Sequence, residues 1–86
     1  MPKVSEFFGI VIYMYFREHP PPHFHARYGG EEAVISIEDL SVLEGRLSPR
    51  ALGLVIEWAT QRKEELRLAW DRARDHEPPG WIEPLG

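Results

Sequence analysis

Residues 9–16 read Gly-Ile-Val-Ile-Tyr-Met-Tyr-Phe. The run is dense in β-branched and aromatic side chains, the composition of a strand. Residues 23–28, His-Phe-His-Ala-Arg-Tyr, alternate polar with apolar and form a second strand. Between them Pro20, Pro21 and Pro22 donate no backbone hydrogen bonds and disfavour helix before them. The connection is therefore stiff and extended. Gly29-Gly30 signals a turn. Glu32–Glu38 gives a third strand, and Asp39-Leu40-Ser41 turns the chain into a short fourth one at Val42–Gly45.

The period then changes. Ser48 can cap free helix amides, and Pro49 suits the first helical position. Leu52, Val55, Ile56, Ala59, Leu66, Ala69, Trp70 and Ala73 recur at helical spacing. The pattern predicts an amphipathic helix over about residues 49–75, able to bend or break in the polar stretch Thr60–Glu65. A straight helix over 49–74 would measure about 39 Å. A domain of this size is only roughly 30 Å across. One end would then project, or pack on a second copy or partner. Pro78-Pro79-Gly80 stops the helix, and Trp81 and Ile82 are expected to pack the tail, 76–86, back onto the body. These elements make one α+β domain over 1–86, with an antiparallel sheet of three to four strands packed against one long C-terminal helix that can bend at its middle.

Eighty-six residues bury only about 60% of their unfolded surface, so the core has little to spare. The absence of cysteine excludes disulfides and thiolate metal sites. The first residues lack a signal-peptide layout, and the longest apolar run, Phe7–Phe16, is about half a membrane span. A cytoplasmic location without membrane attachment is expected. The net charge of −4 is a poor basis for nucleic-acid binding, which rests on phosphate neutralisation. Residues 46–75 carry seven basic and five acidic side chains, which keeps that partner only weakly supported. Most of these charges alternate in sign along the helix, as on a solvated, salt-bridged face.

Strand alternation sorts the side chains into faces. Ile10, Ile12, Met14, Phe16, Phe24, Ala26, Tyr28, Ala33, Ile35 and Ile37 fall on a largely aliphatic face for the helix to cover. Tyr13, Tyr15, His23, His25, Arg27 and Ser36 gather on the other. His23 and His25 project the same way, about 6.5–7 Å apart at the backbone. Two chemistries follow from these residue types. One is a metal site with His19, His23 and His25 as nitrogen ligands and Glu18 as a fourth, suited to a divalent transition metal such as zinc. The other is metal-free acid–base chemistry on phosphodiesters, as in a nuclease. There His23 or His25 would act with Arg27 and with Tyr13 or Tyr15 as proton donor. The same histidines can instead serve structure by bonding turn carbonyls, so catalysis and binding alone are both open.

The succession FFGIVIYMYF, EHPPPHFHARYG, AVISI, LEGRL, SPRALGLVIEWA and IEPL resembles a small bacterial family catalogued as domain of unknown function 4160. The likeness runs over residues 2–85 and is most specific at residues 19–28. It brings no catalytic residues with it. It implies a prokaryotic origin and a gene placed beside that of another small protein, in a toxin–antitoxin-like arrangement. The expected role is therefore one component of a two-gene module acting through a small protein partner, a homodimer, or both.

Overall fold

A computed structural model of the protein describes residues 2–86. Among them, five strands form one antiparallel meander in the order β1-β2-β3-β4-β5: β1 Lys3–Phe7, β2 Ile10–Tyr13, β3 His23–Tyr28, β4 Glu31–Ser36 and β5 Val42–Gly45. Two helices follow, α1 Pro49–Thr60 and α2 Lys63–Arg74. The α+β class and the antiparallel sheet agree with the sequence reading. The strand number and the single helix do not.

The additional strand is β1. Its charged Lys3 and Glu6 interrupt the apolar pattern, yet Val4, Ser5 and Phe7 are buried. Its cross-strand partners, Val11 opposite Glu6 and Ile10 opposite Phe7, lie across the tight turn at Phe8-Gly9. β2 ends at Tyr13, so Tyr15 and Phe16 lie beyond the strand in which they were expected.

The long helix divides after Thr60. The Thr60 hydroxyl bonds back to the Ile56 carbonyl at 2.7 Å, and the Gln61 and Arg62 amides close short turns onto Trp58 and Ala59. Each half has twelve residues, about 18 Å of helix. Both therefore fit a body of 33 × 25 × 22 Å without a projecting end. The Ser48 hydroxyl accepts from the Ala51 amide at α1's start, and the Ser48 amide donates to Glu31 Oε1 at 2.8 Å. That bond ties the helix to β4.

The core lies between the helices and one sheet face. Ile10, Ile12, Phe24, Ala26, Ala33 and Ile35 meet Ala51, Val55, Trp58, Ala59, Leu66, Ala69 and Trp70. Trp58 packs on Phe7 and Phe24 at 5.3 and 5.9 Å between ring centres. Its indole N–H donates to the Glu83 carbonyl at 2.8 Å, and the Ile82 amide donates to the Val4 carbonyl at 2.7 Å. The tail thus packs back through Ile82. Trp81, expected to do the same, faces outward.

Two glycines stand in opposite situations. Gly45 has φ +74°, and a Cβ there would lie 2.2 Å from the Glu32 carbonyl oxygen. Gly53 lies within α1 with open space around it among the described residues. Gly45→Ala is expected to destabilise the fold by about 2 kcal/mol or more. Gly53→Ala is expected to stabilise it by about 0.5–1 kcal/mol. Urea denaturation of the two variants checks both signs.

Candidate metal centre

Register decides what the second sheet face contains. Tyr13 pairs with His25, His25 with Val34, His23 with Ser36 and Arg27 with Glu32. Tyr13, His23, His25, Arg27 and Ser36 therefore share the face expected from alternation, and Tyr15 joins it from beyond the strand by packing on His25. It is also covered: His23 and His25 are only 8% and 7% exposed. The cover is the β2–β3 connection, residues 14–22, which folds back over the strands. Its Arg17 amide donates to the Ala73 carbonyl at the end of α2, and Phe16 stacks on His76. From there Glu18 reaches both histidines.

The His25 Nε2–H donates to Glu18 Oε1 at 2.6 Å. His23 Nε2 lies 3.2 Å from Glu18 Oε2. Glu18, His23 and His25 each offer one ligand atom, and these atoms lie within 4.8 Å of one another. Aromatic rings hold the imidazoles. Tyr13 stacks on His25 at 5.1 Å, Tyr15 meets it edge-on at 4.8 Å, and Trp70 packs on His23 at 4.9 Å.

The outer nitrogens define the chemistry. His23 Nδ1 is 2.7 Å from the Pro21 carbonyl. A carbonyl only accepts, so this network assigns the proton to Nδ1. In the neutral ring, Nε2 then aims a lone pair at the Glu18 carboxylate. Two acceptors face each other at 3.2 Å, an arrangement that calls for a proton or a cation between them. His25 Nδ1 is buried without a hydrogen-bond partner among the described residues, and Glu32 Oε2 lies 3.5 Å away.

Desolvation pushes the Glu18 carboxyl up, but the two imidazoles beside it, His25 hydrogen-bonded and His23 close by, outweigh that and hold it below the ordinary 4.5. Burial, reinforced by Glu32 and Tyr15, pushes the Tyr13 hydroxyl well above the ordinary tyrosine range. Tyr13 therefore keeps its proton at neutral pH.

Of the residues singled out in the sequence, Glu18, His23 and His25 converge. His19 lines the same cavity of about 250 Å³ but stands outside the converging group and is exposed. Arg27 is exposed, with its guanidinium 5.8 Å from the centre of the Tyr13 ring. Tyr13 and Tyr15 act on His25 through ring packing. Glu32, Leu43, Glu44 and Trp70 were not singled out as site residues. Leu43 and Glu44 reach the cavity together because the β4–β5 register shifts between Val34 and Ile35, and nothing in composition signals that irregularity.

A carboxyl whose folded-state pKa is depressed contributes stability above its unfolded value and loses it as pH falls through the folded one. With chelator present, the stability gap between wild type and Glu18→Gln is therefore expected to be largest near neutrality. It should shrink below about pH 4.5, as denaturant titrations across that range would show.

A family model described as Domain of unknown function (DUF4160) matches residues 9–71, a span that includes β2 to β5, α1 and most of α2. No curated protein and no solved structure matches the chain. The matched segment contains the whole of the Glu18–His23–His25 group, and the chain belongs to the DUF4160 family.

Proposed function

We propose that the domain is a histidine-ligated metal-binding module in which His23, His25 and Glu18 hold a divalent transition metal, with zinc the best match. The observation that carries this reading is the convergence of three ligand atoms, with the far nitrogen of His23 on the Pro21 carbonyl and that of His25 3.5 Å from Glu32 Oε2. Histidine ligands characteristically present the other ring nitrogen to a carbonyl or carboxylate, which sets the tautomer and the ring orientation. The Pro21 carbonyl does this for His23, and Glu32 stands in that position for His25.

Distances support the same reading. Ligand atoms about 2.05 Å from a tetrahedral zinc lie roughly 3.3 Å apart. The 3.2 Å between His23 Nε2 and Glu18 Oε2 is close to that value. The 2.6 Å hydrogen bond to His25 must open by a few tenths of an ångström as its proton leaves. Three protein ligands leave a fourth position towards the cavity lined by His19, Pro20, Pro21, Val34, Leu43 and Glu44. His19 lines that cavity but stands outside the converging group. No lysine or arginine lines the cavity among the described residues, and Arg27, the cation expected for metal-free phosphodiester chemistry, lies outside its lining.

Chain purified without a histidine tag is expected to carry about one equivalent of transition metal by elemental analysis. His23→Ala and His25→Ala should lose it, and His76→Ala, on the far side of the connection, should keep it. Free metal a hundredfold above Kd stabilises by about 2.7 kcal/mol. For a domain of this length each kcal/mol is worth about 4–8 °C in Tm. A chain that binds no metal in a zinc, iron, nickel and copper panel, and shows no rise in Tm, rules the reading out.

A second reading is favoured by β5, all four of whose residues are exposed at the edge of the sheet. Under it the domain is one half of a two-component, toxin–antitoxin-like module and docks the small protein encoded beside it. Co-expression with that neighbour should then yield a complex that co-elutes in gel filtration. Separate elution at micromolar concentrations counts against this reading.

A further inference from the structure

The face of the molecule formed by α2 and the tail carries two large apolar side chains turned to solvent. Leu68 is 53% exposed and Trp81 is 59% exposed. Both line one cavity of about 200 Å³, together with Glu65, Arg72, Pro79 and Ile82. Trp81 is not carried on a free end. Arg72 Nη1 donates to the Pro79 carbonyl at 3.3 Å on one side of it. On the other, the Ile82 amide is bonded to β1 and the Glu83 carbonyl accepts from Trp58. The backbone around Trp81 is thus pinned, and its indole is presented with little ordering entropy left to lose on contact.

Charge identifies what the face fits. Glu65, Leu68 and Arg72 follow one another at spacings of three and four, so they form one stripe of α2. The apolar residue sits between an acid and a base. A second α2 laid antiparallel across this stripe about Leu68 brings Glu65 of each helix opposite Arg72 of the other. No like charges meet within the stripe, and each Trp81 lies beside the cavity next to its neighbour's Leu68. We propose that this face is a two-fold interface between copies of this chain, centred on Leu68 and Trp81 and bracketed by two reciprocal Glu65–Arg72 pairs. Trp and Arg are the residue types that most often dominate interface energetics. The face has no part in the metal-binding proposal and stands whether or not that proposal holds.

Analytical ultracentrifugation of the full chain tests this. Wild type is expected to show a reversible monomer–dimer equilibrium. Trp81→Ala should weaken it by about tenfold or more. Glu65→Arg and Arg72→Glu should each weaken it, because each sets like charges face to face. Mixing those two variants should restore a dimer. In the mixed pair the two substituted side chains face each other with opposite charge, and the unsubstituted Arg72 of one copy faces the unsubstituted Glu65 of the other. Restoration by mixing also shows that both variants are folded. The inference is overturned if wild type remains monomeric up to about 100 μM. It is equally overturned if a wild-type dimer survives both charge reversals unchanged.

Discussion

One carboxylate holds the second face of this sheet together. Glu18 spans two buried imidazoles, with Nε2 of His25 at 2.6 Å and Nε2 of His23 at 3.2 Å. A strand with apolar side chains on one face and histidines on the other would ordinarily leave the histidines in water. Here both faces of β3 are buried from His23 to Ala26, so the two imidazoles must be satisfied from within the protein. The β2–β3 connection supplies most of what is needed: the Pro21 carbonyl for Nδ1 of His23 and the Glu18 carboxylate for Nε2 of His25, with the second carboxylate oxygen 3.2 Å from Nε2 of His23. The three prolines stiffen the path that brings these groups back over the sheet. Nδ1 of His25 is buried without a hydrogen bond among the described residues.

That unfinished arrangement is the ground on which the metal-binding proposal rests. A purely structural role for the histidines needs donors matched to acceptors. His23, with its proton drawn to Pro21, offers Glu18 a lone pair unless the ring is cationic. His25 can satisfy Glu18, but its other nitrogen is then buried with only a distant carboxylate nearby. A divalent cation between the three ligand atoms would turn the facing lone pairs from a cost into the source of binding. The Glu32 carboxylate and Pro21 carbonyl would then orient the ligands. The aromatic packing by Tyr13, Tyr15 and Trp70 limits ring rotation in either case.

The opposite side of the molecule obeys a simpler balance. The helices bury Trp58 and Trp70 against the aliphatic face, and the break after Thr60 lets two short helices follow a body too small for one long one. Dividing the helix also re-aims its outer surface. The charges of α2 alternate as a solvated face requires, with Arg62 and Glu65 paired at 3.3 Å. Leu68 interrupts that pattern, and the returning tail sets Trp81 beside it. Neither residue has a structural task in the monomer comparable to that of Leu66 or Ile82.

Much of this architecture is legible in the order of the residues. Alternation in 23–28 assigns His23 and His25 to one face and Phe24 and Ala26 to the other, because side-chain direction along a strand depends only on the parity of the residue number. The apolar spacing in 51–73 establishes helix for a similarly local reason, and Ser48-Pro49 marks its start. The convergence of Glu18 on the histidines is not legible in this way, since it depends on how residues 14–22 fold over the sheet. Nor are β1, the joint place of Leu43 and Glu44 on the cavity rim, or the outward turn of Trp81. Each depends on contacts between segments distant in sequence: β1 on its pairing with β2, the two cavity residues on a register shift, Trp81 on the anchoring of its neighbours. Which side chains share a face is thus written in the residue order, because it follows from backbone period. Which faces are covered and which ligand atoms meet is settled in the folded chain, because those depend on register and on the route of the connecting segments.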